Sequence, residues 1–216
     1  MNNLFKNKIY EKYLVDCENC ITKCDNVSKG TYLFYNDVQF SEFFEKKIID
    51  LINFNNKSYF AKKCEKEGYP DIVVYDKSGI VFCYIEIKSQ RRTFMKVKQF
   101  LPAGDLIPSE TLALNLSDLI RYFEIKNQEK KPIYIFWVLS ERPCILGNNT
   151  EKYFYNEVDR LKEIYSYYGD KRKMRRKSGQ GDVVNGVHLG VVVNYHFSIL
   201  ELKEIKDINK LNLENL

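Results

Sequence analysis

The segment 69–90, YPDIVVYDKSGIVFCYIEIKSQ, constrains the fold more than any other part of the chain. Two runs rich in Ile, Val, Phe and Tyr flank Lys77-Ser78-Gly79, which predicts strands over 71–76 and 80–88 joined as a hairpin. Side chains on a strand alternate between two faces. Phe82, Tyr84, Glu86 and Lys88 therefore share one face, while Val81, Cys83, Ile85 and Ile87 share the other, which has the composition of a core. The short turn sets Asp71 across from residue 84 or 85, to within one position. Three ionic groups, Asp71, Glu86 and Lys88, thus converge at one end of a hairpin otherwise suited to burial.

The elements around the hairpin predict an α/β domain. In FSEFFEKKIIDLINF, Phe40, Phe44, Ile48, Leu51 and Ile52 recur at helical spacing, and Ser41 is a suitable N-cap. SYFAKKC (58–64) reads as a strand, and Glu67-Gly68-Tyr69-Pro70 as a turn leading into the hairpin, which makes a three-strand meander. Pro102, Gly104 and Pro108 forbid one continuous helix over 91–115. A helix starts at Asn115-Leu116-Ser117-Asp118 and runs to about Lys130. IYIFWVL (133–139) is a continuous apolar run, as in a buried central strand. Residues 151–168 read as an amphipathic helix with Phe154, Val158, Leu161, Tyr165 and Tyr168 on one stripe. Residues 187–202 read as strand, with a break at Asn194. The expected organisation is one globular unit, an N-terminal elaboration over 1–39 and a main domain over 40–216.

A length of 216 residues suits a single full core, and 44% hydrophobic with 29% charged residues is ordinary for a soluble protein. The first residues, MNNLFKNKIYEKYLVD, are broken by Lys, Asn and Glu, unlike a signal peptide. No run reaches the roughly 18–20 apolar residues that span a bilayer. The expected location is the cytoplasm. No GxxxxGK[ST] sequence is present, so a nucleotide cofactor is not expected. A net charge of +5 permits a polyanionic partner without requiring one.

Two adjacent carboxylates repel, and each raises the other's pKa. A divalent cation relieves that repulsion. Mg²⁺ prefers oxygen ligands and takes only one or two carboxylates, leaving sites for water and substrate phosphate. A lysine on the same strand edge can polarise an attacking water or stabilise developing charge. The residue types thus suit metal-assisted phosphodiester hydrolysis. The bland alternative is a solvated strand face with an ion pair, preceded by an ordinary turn Asp.

Pro70-Asp71, fourteen intervening residues and then Glu86-Ile87-Lys88 resembles the motif of the PD-(D/E)XK nuclease superfamily. The order of elements over about 40–140 is similar to that family as well. The resemblance implies a restriction-endonuclease-like core, a central mixed β-sheet flanked by helices, to which this chain adds its N-terminal Cys-containing elaboration. It implies that Asp71 and Glu86 bind Mg²⁺ (or Mn²⁺) and that Lys88 is the catalytic lysine. Glu45 stands where many members add a glutamate from the preceding helix, with Glu42 as the alternative. Gln90, Arg91 and Arg92 follow the lysine and are candidates for substrate contact. The implied activity is a Mg²⁺-dependent DNA endonuclease of restriction type, acting on double-stranded DNA as a homodimer. An RNA endonuclease with the same site, or a non-catalytic nucleic-acid-binding module of the same fold, are the alternatives.

Two further constellations stand apart. Lys171, Arg172, Lys173, Arg175, Arg176 and Lys177 fall within seven residues, followed by Ser178-Gly179-Gln180-Gly181. Such a cluster is suited to phosphate contact, and Gln180 to a base edge, against the alternative of a solvated loop. Cys17, Cys20 and Cys24 have the spacing of soft-metal ligands and point to a structural Zn²⁺. The fourth ligand is open among Cys64, Cys144, His188 and His196, and the bland reading is reduced thiols. Cys83 is expected in the core, and the two histidines carry no assigned role.

Overall fold

The structure is a computed structural model and describes residues 34–91, 93–175, 183–184, 187–188 and 193–216. In chain order the elements are α1 (Phe34–Asn55), β1 (Tyr59–Lys63), β2 (Ile72–Asp76), β3 (Val81–Gln90), α2 (Val97–Phe100), β4 (Thr111–Asn115) and α3 (Leu116–Glu129). There follow β5 (Ile133–Ser140), α4 (Pro143–Leu146), β6 (Glu151–Glu157), α5 (Val158–Tyr168) and β7 (Lys173–Arg175). The chain closes with β8 (Val183–Val184), β9 (Val187–His188), β10 (Val193–Ser198) and β11 (Lys203–Ile205).

The main sheet has the order β1-β2-β3-β5-β6-β11. Only β3 and β5 run parallel in it, and every other pairing is antiparallel, so the sheet is mixed. Helices cover both faces. Phe44, Ile48 and Ile52 of α1 pack with Cys83, Ile85 and Ile87 on one side. Leu119, Tyr122 and Phe123 of α3 and Leu161 and Ile164 of α5 pack with Val73, Tyr84 and Ile135 on the other. The fold class is therefore α/β with a central mixed sheet flanked by helices, as expected. Among the described residues no helix is long and apolar enough to cross a membrane.

A second sheet, β4-β10-β7, packs on the α3/α5 side through Leu112, Leu114, Tyr195 and Phe197. The indole N–H of the fully buried Trp137 on β5 donates to the Ala113 carbonyl of β4 at 3.4 Å, linking the two sheets. Arg142, also fully buried, donates to the carbonyls of Ser109 and Thr111 and holds the approach to β4.

Several expectations are corrected. The helix expected from Ser41 begins at Phe34, and Ser41 lies inside it, its hydroxyl 3.0 Å from that of Ser89. The helix expected over 151–168 is a strand to Glu157 and a helix only from Val158. Tyr153 and Tyr155 point to one core and Phe154 to the other, a period of two. The apparent helical stripe arose because Phe154, Val158 and Leu161 reach the same core from a strand that passes straight into a helix. The open edge of β5 settles the matter, pairing seven residues of β6 from Glu151 to Glu157. Asn194 lies inside β10 rather than at a break. On β3 the face of Tyr84 and Glu86 is covered too, with both residues buried, and a bulge between β2 and β3 moves Phe82, expected on that face, to the α1 side with Cys83.

The second sheet carries a buried polar knot. Arg172 and Glu201 are both fully buried side chains joined by two hydrogen bonds of 2.7 Å. The Arg172 guanidinium lies 3.4 Å from the centroid of the Tyr168 ring, and its Nε donates to the Gly104 carbonyl at 2.7 Å. His196 Nδ1 is 3.2 Å from the Arg172 carbonyl, and its Nε2 has no hydrogen-bond partner. Burial, aided by the Arg172 charge, pushes the His196 pKa from 6.5 down to about 4. The folded state thus resists a proton that the unfolded chain accepts. The stability this contributes is complete above pH 6.5 and is lost as pH falls toward 4. Wild type is expected to lose about 3 kcal/mol more than His196→Asn between pH 7 and pH 4, measured by urea unfolding. Equal losses would show that His196 does not charge within that window.

Candidate active site

The site is built at the start of β2. Gly68 takes a φ of +76°, a conformation open to glycine without strain, and turns the chain into Tyr69-Pro70-Asp71. Ile72 pairs with Ile85, which sets Asp71 opposite Glu86. The Asp71 amide donates to Glu86 Oε2 at 3.3 Å, and the Ile87 amide donates to Asp71 Oδ2 at 2.8 Å. Two carboxylates are thereby held side by side on neighbouring inner strands, at the start of β2.

Their electrostatics follow from that placement. Burial first, and then the Glu86 charge, push the Asp71 pKa up to about 7, against the opposing effects of the Ile87 amide and Lys88. Glu86 is buried, 3% exposed. The Lys88 ammonium pairs with Glu86 Oε1 and lies 3.7 Å from Asp118 Oδ2. Burial acts against that ammonium, but Glu86, Asp118 and Asp71 outweigh it and hold the Lys88 pKa above its ordinary value. Lys88 is therefore a fixed positive charge rather than a proton acceptor at neutral pH.

Helix α3 supplies two residues that the sequence reading did not single out. Asp118, in its first turn, faces Lys88 and accepts from Arg121 at 2.7 Å. Tyr122, one turn on and buried, hydrogen-bonds Glu86 through its hydroxyl; burial, then Glu86, raise the phenol's pKa. The helix-start signal at 115–118 was visible, but nothing local tied that helix to β3. The i, i+4 spacing of Asp118 and Tyr122 on a helix facing the sheet was the available clue.

The remaining candidates fall at different distances from this centre. Glu45 of α1 is mostly buried, 3.4 Å from Lys63 Nζ, and close enough to Asp71 for its charge to help raise that carboxyl's pKa. Glu42 is exposed on the same helix. Gln90 accepts from the Ala113 amide at 3.0 Å, joining the end of β3 to β4. Arg91 is engaged by Glu141 at 2.5 Å and lies over the Phe40 ring. Lys171 and Arg175 are exposed, while Lys173 pairs with Asp170 at 2.7 Å. Arg172 is a correction: its buried pairing with Glu201 leaves no face for a phosphate. Arg92, Arg176, Lys177, Gln180 and the Cys17, Cys20, Cys24 cluster lie outside the described residues.

Among the described residues no group of three or more His, Cys, Asp or Glu side chains is arranged to hold a metal ion. The pair Asp71 and Glu86 is nonetheless a hard oxygen donor set whose mutual repulsion a cation relieves, and Mg²⁺ takes one or two carboxylates as a rule. Of the candidates for a fourth zinc ligand, Cys64 and Cys144 are half-buried against the larger core, and His196 belongs to the Arg172 knot.

No protein-family model matches the chain, and no curated protein does. Among solved structures, it is similar to a Holliday junction resolvase, Hjc of Archaeoglobus fulgidus, at a TM-score of 0.36 and 12% identity. The likeness covers 55% of this chain and 78% of the resolvase. A match that loose places no side chain, so the chemistry must be read from the site itself.

Proposed function

We propose that this protein is a metal-dependent nuclease of the PD-(D/E)XK type, cutting DNA by hydrolysis of phosphodiester bonds. The observation that carries the reading is the convergence of Asp71, Glu86 and Lys88, with Asp71 ionising only at about pH 7. A buried carboxylate pair with one strongly raised pKa is costly in structural terms and is characteristic of functional sites.

In this reading Asp71 and Glu86 hold Mg²⁺ or Mn²⁺, with Glu45 near enough to tune the charge around it. The ion, when bound, polarises the scissile phosphate and lowers the pKa of a water. Lys88 keeps its proton and meets the negative charge that builds on the phosphate. Asp118 gives the ammonium a second partner, so Lys88 would stay oriented if Glu86 also held a metal ion. The Tyr122 hydroxyl fixes the Glu86 carboxylate from behind. Gln90 and Arg91 stand at the end of the same strand, beside the place where a substrate backbone would run. The exposed Lys171 and Arg175, before and at the end of β7, supply further phosphate contacts. A restriction-type enzyme cutting both strands of duplex DNA would act as a homodimer, one site per strand.

The test is digestion of plasmid and phage DNA with Mg²⁺ or with EDTA, beside Lys88→Ala. Wild type is expected to yield discrete bands in Mg²⁺ only. Lys88→Ala is expected to be slower by at least ~100-fold. A smear in place of bands would keep the nuclease and remove sequence specificity. Cleavage that persists in EDTA, or in Lys88→Ala at the wild-type rate, would overturn the site.

A further inference from the structure

The segment between β3 and β4 leaves from the strand end that carries Lys88, and α2 forms in its middle. It is a fastened segment. Val97, Leu101 and Leu106 are buried together, with Phe94 and Met174 packed on them. At Gly104 a Cβ would stand 3.0 Å from the Lys171 carbonyl oxygen and 3.1 Å from that of Leu101, so a side chain there would push the two backbones apart. The Arg172 side chain closes the joint through its 2.7 Å bond to the Gly104 carbonyl.

On this frame Phe100 is 52% exposed, beside the exposed Lys96, Lys98 and Gln99. A large apolar ring on a loose loop can fold against the surface, but this one is held out by the small core beneath it. Among the described residues no carboxylate pairs with Lys96 or Lys98, and no ring packs against Phe100. The exposed Lys171 adds a third cation on the backbone that Gly104 touches. An exposed aromatic ring with exposed lysines two and four residues before it is complementary to a base flanked by phosphates. A second copy of the chain on the same patch would crowd like charges together.

We infer that α2 is a nucleic-acid contact for a strand with an unpaired base, Phe100 stacking on the base and Lys96 and Lys98 meeting the adjacent phosphates. The inference rests on the nuclease reading for its substrate and extends it: DNA with an unpaired base where it meets α2 is held more tightly than a fully paired duplex. Paired bases present no open face to Phe100, so duplex gains only the lysine contacts.

The test uses the full chain with Lys88→Ala, which binds without cutting, in Mg²⁺. Fluorescence anisotropy compares a fully paired duplex with a duplex of equal length carrying a single-stranded extension. Adding Phe100→Ala is expected to weaken binding to the extended probe about 10-fold and to the duplex by less than about twofold. Phe100→Trp is expected to restore the difference. Lys96→Ala with Lys98→Ala is expected to weaken both probes and to lower the salt slope on the extended one by roughly 1.4. Equal losses on the two probes, no loss on either, or no binding by the parent protein would overturn the inference. So would a shift from dimer to monomer on Phe100→Ala in sedimentation, which would assign the patch to a second copy. If wild type fails to cut DNA while the Phe100-dependent preference remains, the nuclease reading falls and the α2 contact stands.

Discussion

Arg172→Met is expected to destabilise the protein by about 3–5 kcal/mol in urea unfolding, the cost typical of breaking a buried ion pair from one side. Nothing solvent-borne reaches Glu201, because both side chains are fully buried. Its carboxylate keeps only the Ser198 amide, at 3.0 Å, when the guanidinium is gone. The loss spreads because Arg172 also holds the Gly104 carbonyl and stacks on Tyr168 of α5. Arg172→Met combined with Glu201→Gln is expected to recover part of the loss, since the remaining group no longer carries a charge. A destabilisation below about 1 kcal/mol would mean that water enters the knot and that Arg172 is free to serve the basic run as the sequence suggested.

Asp71→Asn is expected to do the opposite, stabilising the protein while abolishing cleavage. Asp71 ionises at about pH 7 in the fold and at 3.8 in the unfolded chain. Because the folded pKa is raised, ionisation costs folding free energy above pH 3.8, and the cost is complete above about pH 7. At pH 8 in EDTA the neutral amide removes a penalty on the order of 2–4 kcal/mol, roughly 5–10 °C in Tm for a chain of this size. The amide oxygen can still accept from the Ile87 N–H. The advantage should shrink as pH falls toward 4. Mg²⁺ should raise the Tm of wild type and leave Asp71→Asn unmoved, because stabilisation by a ligand requires that the fold bind it. A lower Tm for Asp71→Asn in EDTA would mark Asp71 as a structural acceptor and remove the main support for a metal site.

The two variants show why buried charge has opposite meanings in the two places. Arg172 and Glu201 neutralise each other with matched hydrogen bonds, so the pair holds elements together. Asp71 and Glu86 are like charges side by side, with Lys88 paired to Glu86 and Asp118, so the pair stores repulsion. Storing repulsion in a core makes sense only if something cationic relieves it, which is the physical content of the nuclease proposal.

The hairpin and its charged end were legible because they depend on local rules. Strand alternation and a short turn at Lys77-Ser78-Gly79 set Asp71 across from residue 84 or 85, and the bulge between Val74 and Tyr75 moves its partner on to Glu86. The helix from Leu116 and the buried strand at 133–140 follow in the same way from periodicity and composition, although Asn115 makes no side-chain cap. What only the tertiary structure decided is what meets those elements. Tyr122 reaches Glu86 across 36 residues of chain and Asp118 reaches Lys88 across 30, and no periodicity encodes that approach. Residues 151–157 became a strand because β5 offered an open edge. Arg172 left the basic run because Glu201, 29 residues away, was buried with it. Local geometry is written in short-range sterics, but pairing and desolvation depend on which distant groups close around a residue. That enclosure is also what raises the Asp71 pKa and turns a carboxylate at the start of β2 into a candidate metal ligand.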